Sequence, residues 1–333
     1  MRGLPILAAV IGVTAIAALV GYFGTGAVMR SLLAVGGLGF AAICAIHLAL
    51  MAMMGFAWWV LMPGTRAWTA IWGRLVRDSG SELLPFWQVG GYVLGARALA
   101  LTGVSGTVAA ASTIVDVTFE FISQLAYTAL GLALLIQLQP DSVAATPVMI
   151  GLLIAVLAAA GFLFVQRRGL DFFDRIVRIL GRGWAERSAA GAAALQAALH
   201  AIYRRPGGLW LCFGLHLACW IASTFEAWFA LRLAGEPLPF TTVLVLESML
   251  YAVQTSAFAV PNAVGVQEGA YILLGATFGL TPEMALALSL LKRARDIAIG
   301  LPTLGIWQAL EGGRLWRRRG AAVANRVAEP SPD

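Results

Sequence analysis

The chain has 333 residues, of which 60% are hydrophobic and only 12% are charged, and its mean hydropathy is +0.82. Soluble globular domains carry about 25% charged residues, so the composition excludes that class. A membrane-spanning helix needs about 20 apolar residues, and runs of that length recur along this sequence. The composition therefore predicts an all-α polytopic membrane protein.

Arginine supplies almost all of the positive charge behind the formal net charge of +6. The basic residues are concentrated between apolar runs, at 66–77, 167–205 and 314–319. Such segments usually lie on the cytoplasmic side of a membrane and contact anionic headgroups. We therefore predict a bacterial inner-membrane protein with both termini in the cytoplasm. No basic run is interleaved with aromatic residues in a soluble module, so no nucleic-acid partner is expected.

The first part of the chain is predicted to contain two membrane spans followed by a helix on the membrane surface. The full spans cover Pro5–Tyr22 and Leu32–Met62. Segment Arg66–Ser81 places Trp68 and Trp72 one helical turn apart with arginines nearby, which is typical of an amphipathic helix on the membrane surface. This segment is thus predicted to lie at the interface.

Two apolar segments are interrupted and are predicted to form re-entrant hairpins. The first is Leu83–Leu101, with its break at Gly90 and Gly91. The second runs from residue 240 to residue 278, with its break between Pro261 and Gly265. Irregular backbone at membrane depth is tolerated where it lines a cavity, so both breaks are expected beside one.

The remaining predicted spans are Val108–Gln137, Val148–Val165, Gly208–Leu233 and Met284–Ala309. This gives about six full spans plus two broken hairpins, or eight spans if hairpin segments are scored as spans. One transmembrane domain is expected over residues 1–311, with halves at 1–166 and 206–311 and an amphipathic cytoplasmic linker at 167–205. Residues 312–333 are expected to form a basic and then disordered tail.

The two halves show a weak internal repeat. When Gly103-Val104-Ser105 is aligned with Gly279-Leu280-Thr281, Asp116 falls opposite Lys292 and Glu120 falls opposite Asp296. Each aligned segment follows a glycine-broken apolar segment. An inverted repeat around a site near the bilayer midplane is a known transporter plan, and this pattern predicts one.

Charged residues within apolar helices supply the candidate site. Asp116 and Glu120 are four residues apart and project from one helix face. A second group lies on the last helix: Lys292, Arg293, Arg295 and Asp296. Charge at membrane depth is costly and usually functional, which favours a cavity that binds a lipid headgroup or relays protons. A structural ion-pair network between two spans is the alternative.

The sequence allows two structural roles for each of three further charged residues. Glu268 follows the break at Pro261–Gly265, so it either faces the cavity or caps the helix that begins there. Glu247 either faces the cavity together with Gln254 or packs elsewhere. Arg97 either faces the cavity or extends to the membrane surface.

Neither metal binding nor enzyme chemistry is predicted. Cys212, His216 and Cys219 occupy positions i, i+4 and i+7 of one helix, but a fourth ligand is missing, so no metal or cofactor is expected. The sequence has no Gly-x-Ser-x-Gly elbow, no phosphate-binding loop and no His-Glu-x-x-His motif. A transport or binding role is therefore favoured over catalysis.

Several motifs carry a family resemblance: Leu84-Pro85-Phe86, Val89-Gly90-Gly91, Ser112–Gln124, Pro261–Glu268 and Leu290–Asp296. In these motifs the chain resembles the flippase-like membrane domain of the lysylphosphatidylglycerol synthase family, especially its short hopanoid-biosynthesis-associated branch. The full-length synthases add a soluble domain that transfers lysine from tRNA to phosphatidylglycerol, whereas this sequence stops soon after Arg319. The resemblance therefore implies the translocase role rather than aminoacylation.

The resemblance also implies functional acidic and basic residues, here Asp116, Glu268 and Arg293. Tyr92 follows Gly91, where the family usually has an acidic residue, and this departure makes a neutral or hopanoid-like substrate an alternative to a charged phospholipid. The predicted function is binding and translocation of a lipid, either a phospholipid or a hopanoid. Two alternatives are a membrane scaffold for lipid-biosynthesis enzymes and a membrane-embedded enzyme that modifies lipids.

Overall fold

The computed structural model describes residues 25–84, 87–141, 145–168, 182–257 and 260–328. Within these ranges the chain forms ten α-helices, one 3-10 turn and no strand. The helices are α1 Thr25–Val60, α2 Ala67–Leu83, α3 Trp87–Leu101, α4 Gly106–Leu138, α5 Ala145–Arg168, α6 Arg182–Tyr203, α7 Pro206–Leu233, α8 Phe240–Ser256, α9 Val266–Ala276 and α10 Pro282–Ala328. The predicted first span lies outside the described residues.

Four helices in the described ranges are long and apolar enough to cross a membrane. They contain the segments Leu33–Val60, Gly106–Leu138, Ala145–Gln166 and Pro206–Leu233. Each coincides with one of the predicted spans. The protein is therefore a multi-pass α-helical membrane protein, and the total number of spans stays a prediction.

The predicted interfacial helix is instead an interior element. It forms α2, but Arg74 and Arg77, which were expected to meet lipid headgroups, are only 4% and 2% exposed. Both side chains have carboxylate partners on α4, and this pairing makes their burial possible. Helix α2 packs against α1, α3 and α10, so its basic face points into the protein.

The first hairpin predicted within Leu83–Leu101 is a single helix, α3, which instead packs against α2; the pair α2 and α3 is called the first hairpin below. The break predicted at Gly90 and Gly91 is wrong, because α3 continues through both residues. A Cβ atom on Gly91 would overlap the Arg77 carbonyl and the Ser81 hydroxyl. Glycine is needed at position 91 for close helix packing, and this packing explains why Gly91 stands inside an unbroken helix.

The second hairpin has its break where the sequence places it. Helix α8 ends at Ser256, a 3-10 turn covers Pro261–Ala263, and α9 begins at Val266. Asn262 and Gly265 have φ angles of +49° and +83°. The left-handed backbone region at these positions prevents one helix from continuing into the next.

Three apolar clusters hold the helices together. One joins α1, α7, α8, α9 and α10, and a second joins α1, α2, α3, α4, α6 and α7. A third and smaller cluster joins α4 to α8. Helices α1 and α7 contribute to both large clusters and pack against each other, so they connect the two hairpins.

The C-terminal tail differs from the sequence prediction, and the predicted linker contains a packed helix. Helix α10 continues to Ala328, so the tail expected to be disordered after residue 312 is helical over most of its length. Alanine and arginine, which are frequent there, are good helix formers. In the predicted linker, α6 packs against α4, α5 and α7, and residues 169–181 lie outside the described ranges.

Candidate functional site: a charged cavity between the two hairpins

A cavity of about 510 Å³ lies among α1, α2, α4, α7, α8 and α10. Its wall carries nine charged side chains: Arg74, Arg77, Asp78, Glu82, Glu120, Glu226, Lys292, Arg295 and Asp296. Tyr92, Trp220 and Tyr251 contribute aromatic side chains to the wall. A strongly charged cavity among apolar helices is the arrangement expected for a pathway or binding site for a polar group.

The first hairpin is fastened to α4 by a network of ion pairs. Arg77 Nη1 lies 2.6 Å from Asp116 Oδ2, and Arg77 Nη2 bonds Glu120. Arg74 donates to both Glu120 oxygens, at 2.6 and 3.0 Å, and its Nε donates to Asp78 at 2.5 Å. Two arginines thus meet three carboxylates at one junction between helices.

Asp116 lies behind the cavity wall. Its side chain is fully buried, and its second oxygen, Oδ1, accepts a hydrogen bond from His216 Nε2 at 2.9 Å. Asp116 and Glu120 were predicted to share a site with the charges on the last helix. In the structure their ion-pair partners are on α2, because the α2–α3 hairpin lies against α4.

Lys292 and Glu247 form the corresponding pair at the second hairpin. Lys292 Nζ on α10 donates to Glu247 Oε2 on α8 at 2.5 Å, and the other oxygen of Glu247 accepts from the Tyr271 hydroxyl at 2.5 Å. The carboxyl group of Glu247 is fully buried, whereas Lys292 reaches the cavity wall. Lys292 therefore presents positive charge to the cavity, and Glu247 balances it from behind.

Glu268 acts as a helix cap and as an ion-pair partner. Its Oε2 accepts a hydrogen bond from the Gly265 backbone N–H at 2.7 Å, which closes the N-terminus of α9. Its Oε1 accepts from Arg293 Nε at 2.5 Å and from Ser289 Oγ at 3.1 Å. Glu268 and Arg293 do not line the cavity; they fasten α9 to α10 beside it.

The third junction links α10 to α7 and α1. Arg295 bonds Glu226 and also donates to its neighbour Asp296 at 2.5 Å. Glu226 in turn accepts a hydrogen bond from His47 Nδ1 on α1 at 2.9 Å. Glu226 is 2% exposed, so this buried carboxylate is compensated from two other helices.

The nine residues predicted to bind substrate fall into two groups. Four line the cavity: Glu120, Lys292, Arg295 and Asp296. Five do not: Asp116, Glu247, Glu268, Arg293 and Arg97. Arg97 lies at the surface, where its side chain is 47% exposed and pairs with Glu311.

Sequence reasoning missed several cavity residues, and two signals could have found them. Arg74, Arg77, Asp78 and Glu82 recur at helical spacing, which places them near one face of α2. His47 and Glu226 each stand within a long apolar run, where a polar residue is costly unless it is paired or faces a cavity. Neither signal reveals the partner, which depends on how the hairpins pack.

The charges around the cavity do not balance. Four cationic side chains line it: Arg74, Arg77, Lys292 and Arg295. Seven carboxylates line it or pair with those cations: Asp78, Glu82, Asp116, Glu120, Glu226, Glu247 and Asp296. With both histidines neutral and all seven carboxyl groups ionised, negative charges would exceed positive charges by three in this part of the described structure.

Cys212, His216 and Cys219, whose helical spacing was considered as a metal site, do not form one ligand group in the structure. Cys219 Sγ donates to the Leu50 carbonyl at 3.3 Å, while Asp116 joins Cys212 and His216 in a buried group. Asp116 in that group is already bonded to Arg77 and to His216. The cavity wall offers a second group, His47, Glu82 and Asp296.

The long apolar helices, the broken second hairpin and the enclosed charges define a polytopic membrane protein with a polar internal site. The chain also matches the family model described as "Lysylphosphatidylglycerol synthase TM region" over residues 6–302. It therefore belongs to the family of lysylphosphatidylglycerol synthase transmembrane regions. No curated protein and no solved structure matches the chain.

Proposed function

We propose that this protein binds a lipid by its headgroup in the charged cavity and translocates it between leaflets. The observation that carries the proposal is the cavity itself, about 510 Å³ of space with nine charged side chains in a protein that is 60% hydrophobic. Polar headgroups cannot cross hydrocarbon without such a path, since a charge at the bilayer centre costs several kcal/mol. The apolar part of the lipid would stay in the bilayer.

Family membership supports this reading, because the matching region is the membrane part of an enzyme family whose product is a lipid. The substrate class we propose is a phospholipid or a hopanoid. The location we propose is a bacterial inner membrane with both termini in the cytoplasm, which agrees with the arginine-rich segments at 167–205 and 314–319. The mechanism is transport without covalent change, driven by an ion gradient or by the lipid gradient.

A pair of inverted halves would supply the conformational mechanism, and three features support such a repeat. Helix α10 packs against α1 and α2, while α4 packs against α7 and α8, so each long helix contacts the other half. Gly103 and Gly279, at φ angles of +100° and +78°, precede α4 and α10. Asp116 and Lys292, which fall opposite each other in the alignment of the halves, carry opposite charges, and each forms an ion pair with a neighbouring helix, through Arg77 on α2 and Glu247 on α8.

The test is leaflet redistribution of labelled lipids in proteoliposomes. Ala257 lines the cavity without taking part in an ion pair, so Ala257→Trp should obstruct the cavity and leave the charge network intact. Ala276 is exposed at the end of α9 and does not line the cavity, so Ala276→Trp is the matched control. We expect the wild type and the control to redistribute at least one lipid of a panel containing phospholipids and a hopanoid, and Ala257→Trp to lose most of that activity.

Two results would decide against translocation. If no lipid in the panel moves with the wild-type protein, the scaffold hypothesis becomes the better one. If the lipids recovered from the vesicles are chemically altered, the protein is an enzyme that modifies lipids. Mass spectrometry of the recovered lipids distinguishes relocation from modification.

A further inference from the structure

Glu82 differs from the other carboxylates that line the cavity. Its side chain has no hydrogen bond or ion pair among the residues that the structure describes, although its backbone carbonyl accepts from Asn262. Every other lining carboxylate is bonded to a cationic side chain: Asp78, Glu120, Glu226 and Asp296. Glu82 thus presents a carboxyl group without a bonded partner to the cavity.

Two more side chains of types that can bind metals lie beside Glu82, one from His47 and one from Asp296. One ring nitrogen of His47 and one carboxylate oxygen each from Glu82 and Asp296 are all within 4.8 Å of one another. The three residues come from α1, α2 and α10, and each is partly exposed to the cavity. An ion in the cavity could therefore reach all three.

Electrostatics favours a cation at this point. Two carboxylates this close repel each other strongly where water is restricted. Arg295 offsets only part of the charge, because it also bonds the buried Glu226. A divalent ion bound between the two carboxylates would remove this repulsion.

The surrounding contacts resemble those that support metal ligands elsewhere. Histidines that bind metals usually donate their second ring N–H to a carboxylate, which fixes the orientation of the ring. His47 makes this bond to Glu226 at 2.9 Å, and Arg295 holds Glu226 from the other side. One imidazole and two carboxylates form a mixed donor set that suits first-row divalent ions.

We propose that His47, Glu82 and Asp296 bind one divalent first-row metal ion at the cavity wall. The three protein ligands leave coordination positions open toward the cavity, where a phosphate or hydroxyl oxygen could bind. Metal binding is a property separate from lipid translocation. Its test measures the metal directly, so either proposal can fail without the other.

The test is titration of the purified, metal-free protein in detergent with Mn²⁺ by electron paramagnetic resonance and with Zn²⁺ by calorimetry. We expect one equivalent of metal per chain and a loss of affinity of about tenfold or more in Glu82→Gln. Because the Glu82 side chain has no partner in the described structure, the substitution should not disturb folding, which thermal unfolding without metal would check. Glu283→Gln is the control, since Glu283 lies in the first turn of α10 and does not line the cavity.

Two outcomes would overturn the proposal. One is the absence of stoichiometric binding of either metal by the wild-type protein. The other is equal affinity in the wild type, Glu82→Gln and Glu283→Gln, which would show that any bound metal lies elsewhere. A second variant, Asp296→Asn, should reduce the affinity in the same direction as Glu82→Gln.

Discussion

Arg77 on α2 and Asp116 on α4 form a buried ion pair, with Nη1 2.6 Å from Oδ2 and side-chain exposures of 3% and 0%. The pair fastens the first hairpin to a helix that follows it in the chain. Removing one partner of such a pair leaves the other buried without compensation, and that loss is the main energetic cost. The contact between the hairpin and α4 therefore depends on both residues.

Arg77→Ala should lower the free energy of unfolding by about 3–5 kcal/mol, because Asp116 and Glu120 would both lose a cationic partner. Arg97→Ala is the matched control, since Arg97 also pairs with a carboxylate but is 47% exposed. Its cost should stay below about 1 kcal/mol. Unfolding by denaturant in detergent micelles measures both, and equal losses would contradict a buried network at α2.

Gly91→Ala should destabilise the protein by about 1–3 kcal/mol, because the new methyl group would overlap Arg77 and Ser81 on α2. Gly151→Ala provides the comparison, since a Cβ at Gly151 on α5 meets no atom within 4 Å. That change should be neutral or stabilising by up to about 1 kcal/mol. The same unfolding assay applies, and a harmless Gly91→Ala would mean that α2 and α3 are not closely packed.

Glu247 and Lys292 should behave as one energetic unit. Each single substitution, Glu247→Gln or Lys292→Met, removes one charge of the pair, whereas the double substitution removes both. We expect the double variant to be less destabilised than the sum of the single variants, by about 0.5–3 kcal/mol. A double-mutant cycle measures this coupling, and additive effects would indicate that the two residues do not interact.

The sequence was sufficient for the long apolar helices and for the second hairpin. The spans of α1, α4, α5 and α7 follow from long, predominantly apolar runs, which can be recognised without knowledge of neighbouring helices. The break near Pro261 follows from proline and glycine chemistry, which acts locally. These features are encoded within single segments of the chain.

The first hairpin could not be predicted in the same way. Gly90 and Gly91 suggest a break, but α3 is continuous there, and Gly91 instead permits the close approach of α2. Arg74 and Arg77 suggest a membrane surface, but α4 supplies buried carboxylates. In both cases the deciding contact comes from a different helix, so local pattern alone favours the wrong structure.

The candidate site was only partly predictable for the same reason. The charges of the last helix were identified, and Lys292, Arg295 and Asp296 do line the cavity. Glu82, His47 and Glu226 were not identified, since each is a single polar residue whose role depends on helices distant in sequence. Ion pairing between helices determines which charged side chains remain available to bind a ligand in the cavity.

The most direct test of the central claim is to locate a lipid headgroup on the protein. A lipid with a photoreactive diazirine in its headgroup should label cavity residues such as Glu120, Glu226 or Tyr251, identified by mass spectrometry of the peptides. The same lipid with the diazirine at its acyl terminus should instead label the exposed apolar face of α5, at Leu153, Ile154 and Leu157. If the headgroup probe labels only residues at the helix ends and none in the cavity, the cavity is not a headgroup site and the proposed translocation path is wrong.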